Sequence, residues 1–194
     1  MTYLHVFSPG FFAVRSDYES FGEYHAALSK AIYEKVKQLA FEHYGAERLK
    51  IEKTPRGKPY FENSDIFFSI SHCEKSVAVS FSNSRTGVDA ECLREFKPYA
   101  LTRLFSENEL AYISADTTRR AIELWTLREA ISKAHGDGFT DWFYHAGLAD
   151  ENGKLLSKYR YRETEYHLHT FDYNDFIVSV ACEANEEIKI EEGR

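Results

Sequence analysis

Trp125-Thr-Leu-Arg-Glu-Ala-Ile-Ser-Lys133 is the stretch from which the fold and its use are read. It lies in a run, Thr118 to His135, whose apolar spacing predicts a helix closed by Gly136 and Gly138. At about 100° per residue, Leu124, Leu127, Ile131 and Ala134 share one face, and Glu129 and Lys133 point nearly the opposite way. The helix can therefore bury one side and present an acid and a base one turn apart on the other. Alone, that pair reads as an everyday i,i+4 ion pair, worth about 0.2–0.5 kcal/mol.

Upstream, Gly87-Val-Asp-Ala-Glu91 begins a strand. Period-two alternation sends Asp89 and Glu91 to one side and Val88 and Ala90 to the other. Two hard oxygen ligands on an anchored strand suit a cation, although a solvated strand face would look the same. Further back, Ser69-Ile-Ser-His72 ends a strand over 66–71 with groups that can donate to phosphate oxygens, or that the backbone can satisfy. Thr54-Pro-Arg-Gly-Lys-Pro59 is a basic turn. Its Arg56, Gly57 and Lys58 could wrap a phosphate with backbone N–H groups and a lysine, or simply form a surface turn.

The remaining elements follow the same rules. Tyr3 to Phe7 predicts a strand, and Tyr18 to Tyr44 a helix ended by Gly45. Val77 to Phe81 predicts a strand, and 82–86 a turn. Ser106 with Glu109 forms a capping-box pattern. Leu155 to Tyr161, Tyr166 to Phe171 and Phe176 to Cys182 predict strands, with a turn at 172–175. The charged tail, 186–194, is expected to fray. Helix then strands, twice over, predicts an α+β fold of two similar halves, 1–86 and 87–194, meeting near residues 82–90.

Composition narrows the function. The chain has 194 residues, 43% of them hydrophobic, so a packed core is expected. A net charge of −7 gives no global basic field for nucleic acid. The three cysteines, Cys73, Cys92 and Cys182, are scattered and odd in number, which suits a reducing cytoplasm. The N-terminal residues show no signal peptide or membrane span. His167 and His169, without a paired cysteine, make a poor zinc site. The phosphate-loop and dinucleotide glycine patterns are absent, and no spacing points to a Ser-His-Asp hydrolase.

Read in order, Gly57-Lys-Pro59, Phe68-Ser-Ile-Ser-His72, Gly87-Val-Asp-Ala-Glu91, Phe105-Ser-Glu-Asn-Glu-Leu110 and Trp125–Lys133 resemble the 4′-phosphopantetheinyl transferase family, most specifically over residues 55 to 140. Because Ser71-His72 precedes the Asp89/Glu91 motif, the chain is similar to the longer surfactin-synthetase-activating type rather than the small trimeric holo-acyl-carrier-protein synthases. That type is a pseudo-dimer whose site lies between the halves of a single chain, so a monomer suffices.

The resemblance implies an enzyme that transfers phosphopantetheine from coenzyme A to a serine of an apo acyl or peptidyl carrier protein, releasing adenosine 3′,5′-bisphosphate. It implies Asp89, Glu91 and Glu129 as ligands of Mg2+, with Mn2+ an alternative, and Lys133 as a contact to coenzyme A phosphates. Ser71 and His72 match residues around the 3′-phosphate and pyrophosphate. Arg56, Gly57 and Lys58 match the loop against the nucleotide. Glu129 and Lys133 are the candidate catalytic pair, with Glu129 the candidate base for the carrier serine. Arg94, Lys97 and Arg103 are candidates to face an acidic carrier, or are merely solvated. An inactive coenzyme-A-binding paralogue and a metal-dependent phosphodiesterase or nucleotide hydrolase are the rival readings. The chain departs from the family at Arg128-Glu129, where Lys-Glu is usual, and at His25, where an arginine is expected; Lys30 is the nearby substitute.

Overall fold

A computed structural model describes residues 1–138 and 140–193. Strand β1 (Thr2–Phe7) leads into helix α1 (Phe21–Tyr44). The helix starts at a complete capping box, in which Ser20 accepts from the Glu23 N–H and Glu23 reaches back to the Ser20 N–H. It stops at Gly45, whose φ of 64° is left-handed. A two-stranded pair, β2 (Ile51–Lys53) and β3 (Pro59–Phe61), brackets the basic turn. Then come β4 (Phe67–His72), β5 (Val77–Ser82) and β6 (Thr86–Cys92).

Helices α2 (Pro98–Leu104), α3 (Glu107–Ile113), α4 (Thr117–His135) and α5 (Asp141–His145) follow. Strands β7 (Lys158–Tyr161), β8 (Thr164–Tyr173), β9 (Phe176–Cys182) and β10 (Ile188–Gly193) complete the α+β architecture. The predicted capping box at Ser106 is present and starts α3.

Two four-stranded sheets carry the molecule, ordered β10-β1-β5-β4 and β6-β9-β8-β7. The aliphatic stripe of α1 (Leu28, Ile32, Val36, Leu39) packs on Phe68, Val79 and Phe81 of the first sheet. Leu124, Leu127 and Ile131 of α4 pack with Tyr166, Leu168 and Ala181 of the second. A third cluster joins the sheets, with Leu4, Val6 and Ala78 against Val88, Ala90, Val178 and Val180. Val88 and Ala90 are thus the anchored side of β6, as alternation requires.

The tail does not fray. Residues 188–193 form β10, which runs parallel to β1 with His5 opposite Glu191. Its alternating charges hid an edge strand, whose outward face tolerates Lys and Glu. Local periodicity also missed β2, β3, α2 and α5, each seven residues or fewer. The helix expected from Tyr18 begins at Phe21, because Ser20 caps it. Among the described residues no helix is long and apolar enough to cross a membrane.

Candidate active site

The site forms where β4, β6 and α4 meet. Gly87 makes this possible. A Cβ there would lie 2.0 Å from the Ala130 carbonyl oxygen and 2.4 Å from the Ala134 nitrogen. Only a glycine lets β6 press against the α4 backbone. The contact sets Asp89 and Glu91 beside Glu129 and Lys133. On the other flank, the Val88 N–H donates to Ser69 Oγ at 3.1 Å, tying β6 to β4.

Lys133, Asp89 and Ser71 form one hydrogen-bonded unit. Lys133 Nζ donates to Asp89 Oδ1 at 2.6 Å and to Ser71 Oγ at 2.9 Å, and Ser71 Oγ donates to the same Asp89 oxygen at 2.8 Å. Asp89 is only 4% exposed, and its other oxygen, Oδ2, is buried without a hydrogen-bond partner among the described residues. An orphaned buried carboxylate oxygen is costly unless something else takes it.

Glu129 and Glu91 complete the acidic wall. Burial, then the charges of Asp89 and Glu91, push the Glu129 carboxyl up to about 7, against the opposing pull of Lys133. Burial and Asp89 also raise Glu91, against the opposing pulls of Arg94, Lys133 and the neighbouring Trp125 indole. Glu129 and Glu91, both raised by burial and by the charge of Asp89, are short of positive charge. Hard oxygen donors with an unpaired lone pair suit a divalent cation such as Mg2+. Residues present and chemistry therefore fit the ion. The three do not converge as tightly as a preformed ligand shell, because Lys133 holds Asp89.

Of the predicted phosphate-binding residues, Arg56, Gly57, Lys58 and Lys133 line a neighbouring cleft of about 370 Å³ together with Ser69, Glu129 and Ser132, while Ser71 and His72 lie outside its lining. The basic turn is built differently from a phosphate-wrapping loop. Gly57 (φ 85°) donates its N–H to Thr54 O, and Lys58 donates its N–H to Thr54 Oγ1, so both N–H groups are spent inside the turn. Arg56 reaches across to the Asp137 carbonyl at 2.6 Å and its carboxylate at 3.2 Å. Lys58 caps the end of α4 through the Ala134 carbonyl at 2.8 Å. Burial, and then Arg85, lower its ammonium to about 8.

His72 stands exposed at the rim, with the His25 ring 5.9 Å away. Partial burial, then His25 and Lys133, lower its proton affinity. His25 thus sits beside a predicted site residue. Lys30 does not: it lines a separate groove of about 780 Å³ between α1 and β2.

Arg128 points away from the cleft. Its side chain is fully buried, bonded to Glu109 at 2.8 and 2.9 Å, to Leu104 O at 2.6 Å and to Ala146 O at 2.7 Å. The departure from Lys-Glu is therefore a framework feature that ties α3 and α5 to α4.

Sequence reasoning overlooked the parts played by Ser69, Trp125 and Ser132. Ser69 was signalled, since it is two before Ser71 on the same strand face. Ser132 was not; its hydroxyl bonds the Gly138 carbonyl at 2.6 Å and orders the turn after α4.

Comparison with known proteins shows the family. The sequence model of the 4′-phosphopantetheinyl transferase superfamily matches residues 85–181, half of the chain. The chain belongs to that superfamily. It is also 33% identical over 96 residues to the 4′-phosphopantetheinyl transferase gsp of Aneurinibacillus migulanus, across 47% of this chain and 40% of that relative. The aligned stretch thus spans well under half of the relative's length. The superfamily match holds Asp89, Glu91, Glu129 and Lys133, while Arg56, Gly57, Lys58, Ser71 and His72 lie before it.

Proposed function

We propose that this superfamily member transfers 4′-phosphopantetheine from coenzyme A to a serine of an apo acyl or peptidyl carrier protein. The observation that carries the reading is the Lys133–Asp89–Ser71 unit beside Glu129, a cation and a near-neutral carboxyl at one cleft mouth. The cleft, with Arg56, Lys58 and Lys133 in its wall, suits a polyanionic nucleotide.

An Mg2+ or Mn2+ ion held by Asp89, Glu91 and Glu129 would supply charge neutralisation at the phosphoanhydride. Lys133, released from Asp89, turns to the phosphate oxygens and stabilises the charge that develops as the bond breaks. His72 at the rim donates to an outer phosphate oxygen. Glu129, at the cleft mouth beside Lys133, accepts the proton of the carrier serine. The serine oxygen then bonds to the phosphorus that bears pantetheine. The bond between that phosphorus and the bridging oxygen breaks, and adenosine 3′,5′-bisphosphate leaves with the bridging oxygen and its electron pair. Every residue in this account comes from one chain, which supports action as a monomer. Free thiols at Cys73, Cys92 and Cys182 support a reducing compartment such as the cytoplasm.

Arg94 lies over the rings of Phe96 and Trp125, at 4.8 and 6.0 Å, next to Glu91. It, with Lys97 and Arg103, is the basic edge proposed to meet an acidic carrier.

The test incubates the protein with Mg2+, coenzyme A and a panel of apo carriers, then reads intact mass. A phosphopantetheine-sized gain on a carrier is expected, lowered by about 10²–10⁴-fold in Asp89→Asn. Free phosphopantetheine in place of modified carrier would mean a hydrolase. Intact coenzyme A with every carrier unmodified would mean an inert binder. Either outcome overturns the proposal.

A further inference from the structure

On the far side of the first sheet, three side chains from three elements converge. His5 comes from β1, His43 from the last turn of α1, and Glu191 from β10. Their candidate ligand atoms all lie within 4.8 Å of one another. The two Nε2 atoms are 2.9 Å apart. Glu191 Oε2 lies 3.7 Å from His5 Nδ1 and 3.8 Å from His43 Nε2, while its Oε1 is held by Lys189 at 3.2 Å.

These spacings discriminate between two arrangements. A carboxylate bonded to an imidazole sits at about 2.7–2.9 Å, so Glu191 is too far from either ring for a hydrogen bond. Donors around a tetrahedral ion with bonds of about 2.0–2.1 Å are about 3.3 Å apart, so one nitrogen from each ring and one Glu191 oxygen, already within 4.8 Å of one another, need draw together by no more than about 1.5 Å. The two rings are enclosed, and Glu191 covers them on the solvent side. His5 is 2% exposed and packs against Phe7 and Phe81, and His43 stacks on Tyr3 at 4.0 Å between ring centroids.

We propose that His5, His43 and Glu191 bind a structural divalent transition metal of the zinc class, with water or a small anion in the fourth position. Two imidazoles and one carboxylate are a donor set that zinc accepts, and softer or larger ions fit less well. The ion fastens α1 and β10 to β1. It is separate from the oxygen-only acidic wall at β6 and α4 and has no part in transfer chemistry.

The test uses chelator-stripped full-length protein in excess Mg2+, which occupies the carboxylate site. Zn2+ is titrated by calorimetry, Co2+ is followed by its visible absorption, and melting is recorded for each form. The parent is expected to bind a single tight equivalent of Zn2+ that raises its melting temperature, and Co2+ is expected to colour it. His43→Asn, at a half-buried helix end that tolerates the change, should lose the tight equivalent and the colour while carrier modification continues. Loss of a second-shell partner alone costs about 10–100-fold in metal affinity, so loss of this ligand should cost about 100-fold or more. Glu129→Gln should keep the tight equivalent. Equal Zn2+ affinity in His43→Asn and parent, or no tight Zn2+ in the parent, overturns the proposal and leaves an N–H···N pair between two histidines.

Discussion

Helices α1 and α4 follow opposite designs. Helix α1 buries five of its 24 residues, all apolar, along a single stripe. Helix α4 buries ten of 19, including Thr126, Arg128 and Ser132. The first behaves as an amphipathic surface helix, whose place is set by a hydrophobic stripe and good caps. The second is wedged between β6 and β9 on one side and α3 and α5 on the other, so polar groups had to be buried with their partners. The contrast teaches where the chemistry could reside. Glu129 and Lys133 acquire perturbed, tightly held surroundings only because their helix is enclosed. An acid–base pair at the same spacing on α1 would remain a solvated ion pair.

The sharpest way to break the contrast is Gly87→Ala. The new methyl has backbone on both sides, so α4 must lift off β6. We expect a loss of more than about 3 kcal/mol, or no soluble protein, by urea unfolding. No position on α1 should be as sensitive.

Arg128→Met comes next. It strands the buried Glu109 carboxylate, which should cost about 3–5 kcal/mol in the same assay. Pairing it with Glu109→Leu should recover part of that loss. If Arg128→Met alone were neutral, the enclosed-helix account would fail.

Glu129→Gln sharpens the comparison through pH. In metal-free protein, the folded state keeps the Glu129 proton up to about 7, whereas the unfolded chain releases it near the ordinary 4.5. Between those values the folded state binds more protons, so raising the pH through that window removes stability. The variant lacks this term. Its melting temperature in chelator should fall less than the parent's from about pH 5 to about pH 8.

The smallest effect belongs to α1. Ser20→Ala removes an exposed cap and should cost about 1 kcal/mol, or about 2–4 °C of melting temperature, with unchanged transfer.

The same contrast decides what the sequence made legible. The α1 stripe was readable because its periodicity needs no partner. So were the caps at Ser106 and Gly45 and the alternation that aims Asp89 and Glu91 together. On α4, the apolar face of Leu124, Leu127, Ile131 and Ala134 was readable. The enclosure of Arg128 was not, because it depends on Glu109, Leu104 and Ala146, which only the tertiary fold brings close. The Lys133–Ser71 bond was beyond periodicity for the same reason; the order of five motifs assigned both residues to one ligand without pairing them. Strand β10 was invisible because its pairing partner lies at the other end of the sequence and its own residues read as a charged tail.

That parallel pairing of β1 with β10 has a consequence for biogenesis. On the ribosome, β1 emerges well before β10, so one of its edges must wait until residues 188–193 are made. Until then it displays unpaired backbone beside Leu4 and Val6, an edge suited to wrong partners. Loop closure over so long a span is slow to form compared with the local α1 contacts. The nascent chain should therefore depend on chaperone cover until β10 has emerged, and refolding should include a late step in which β10 docks on β1.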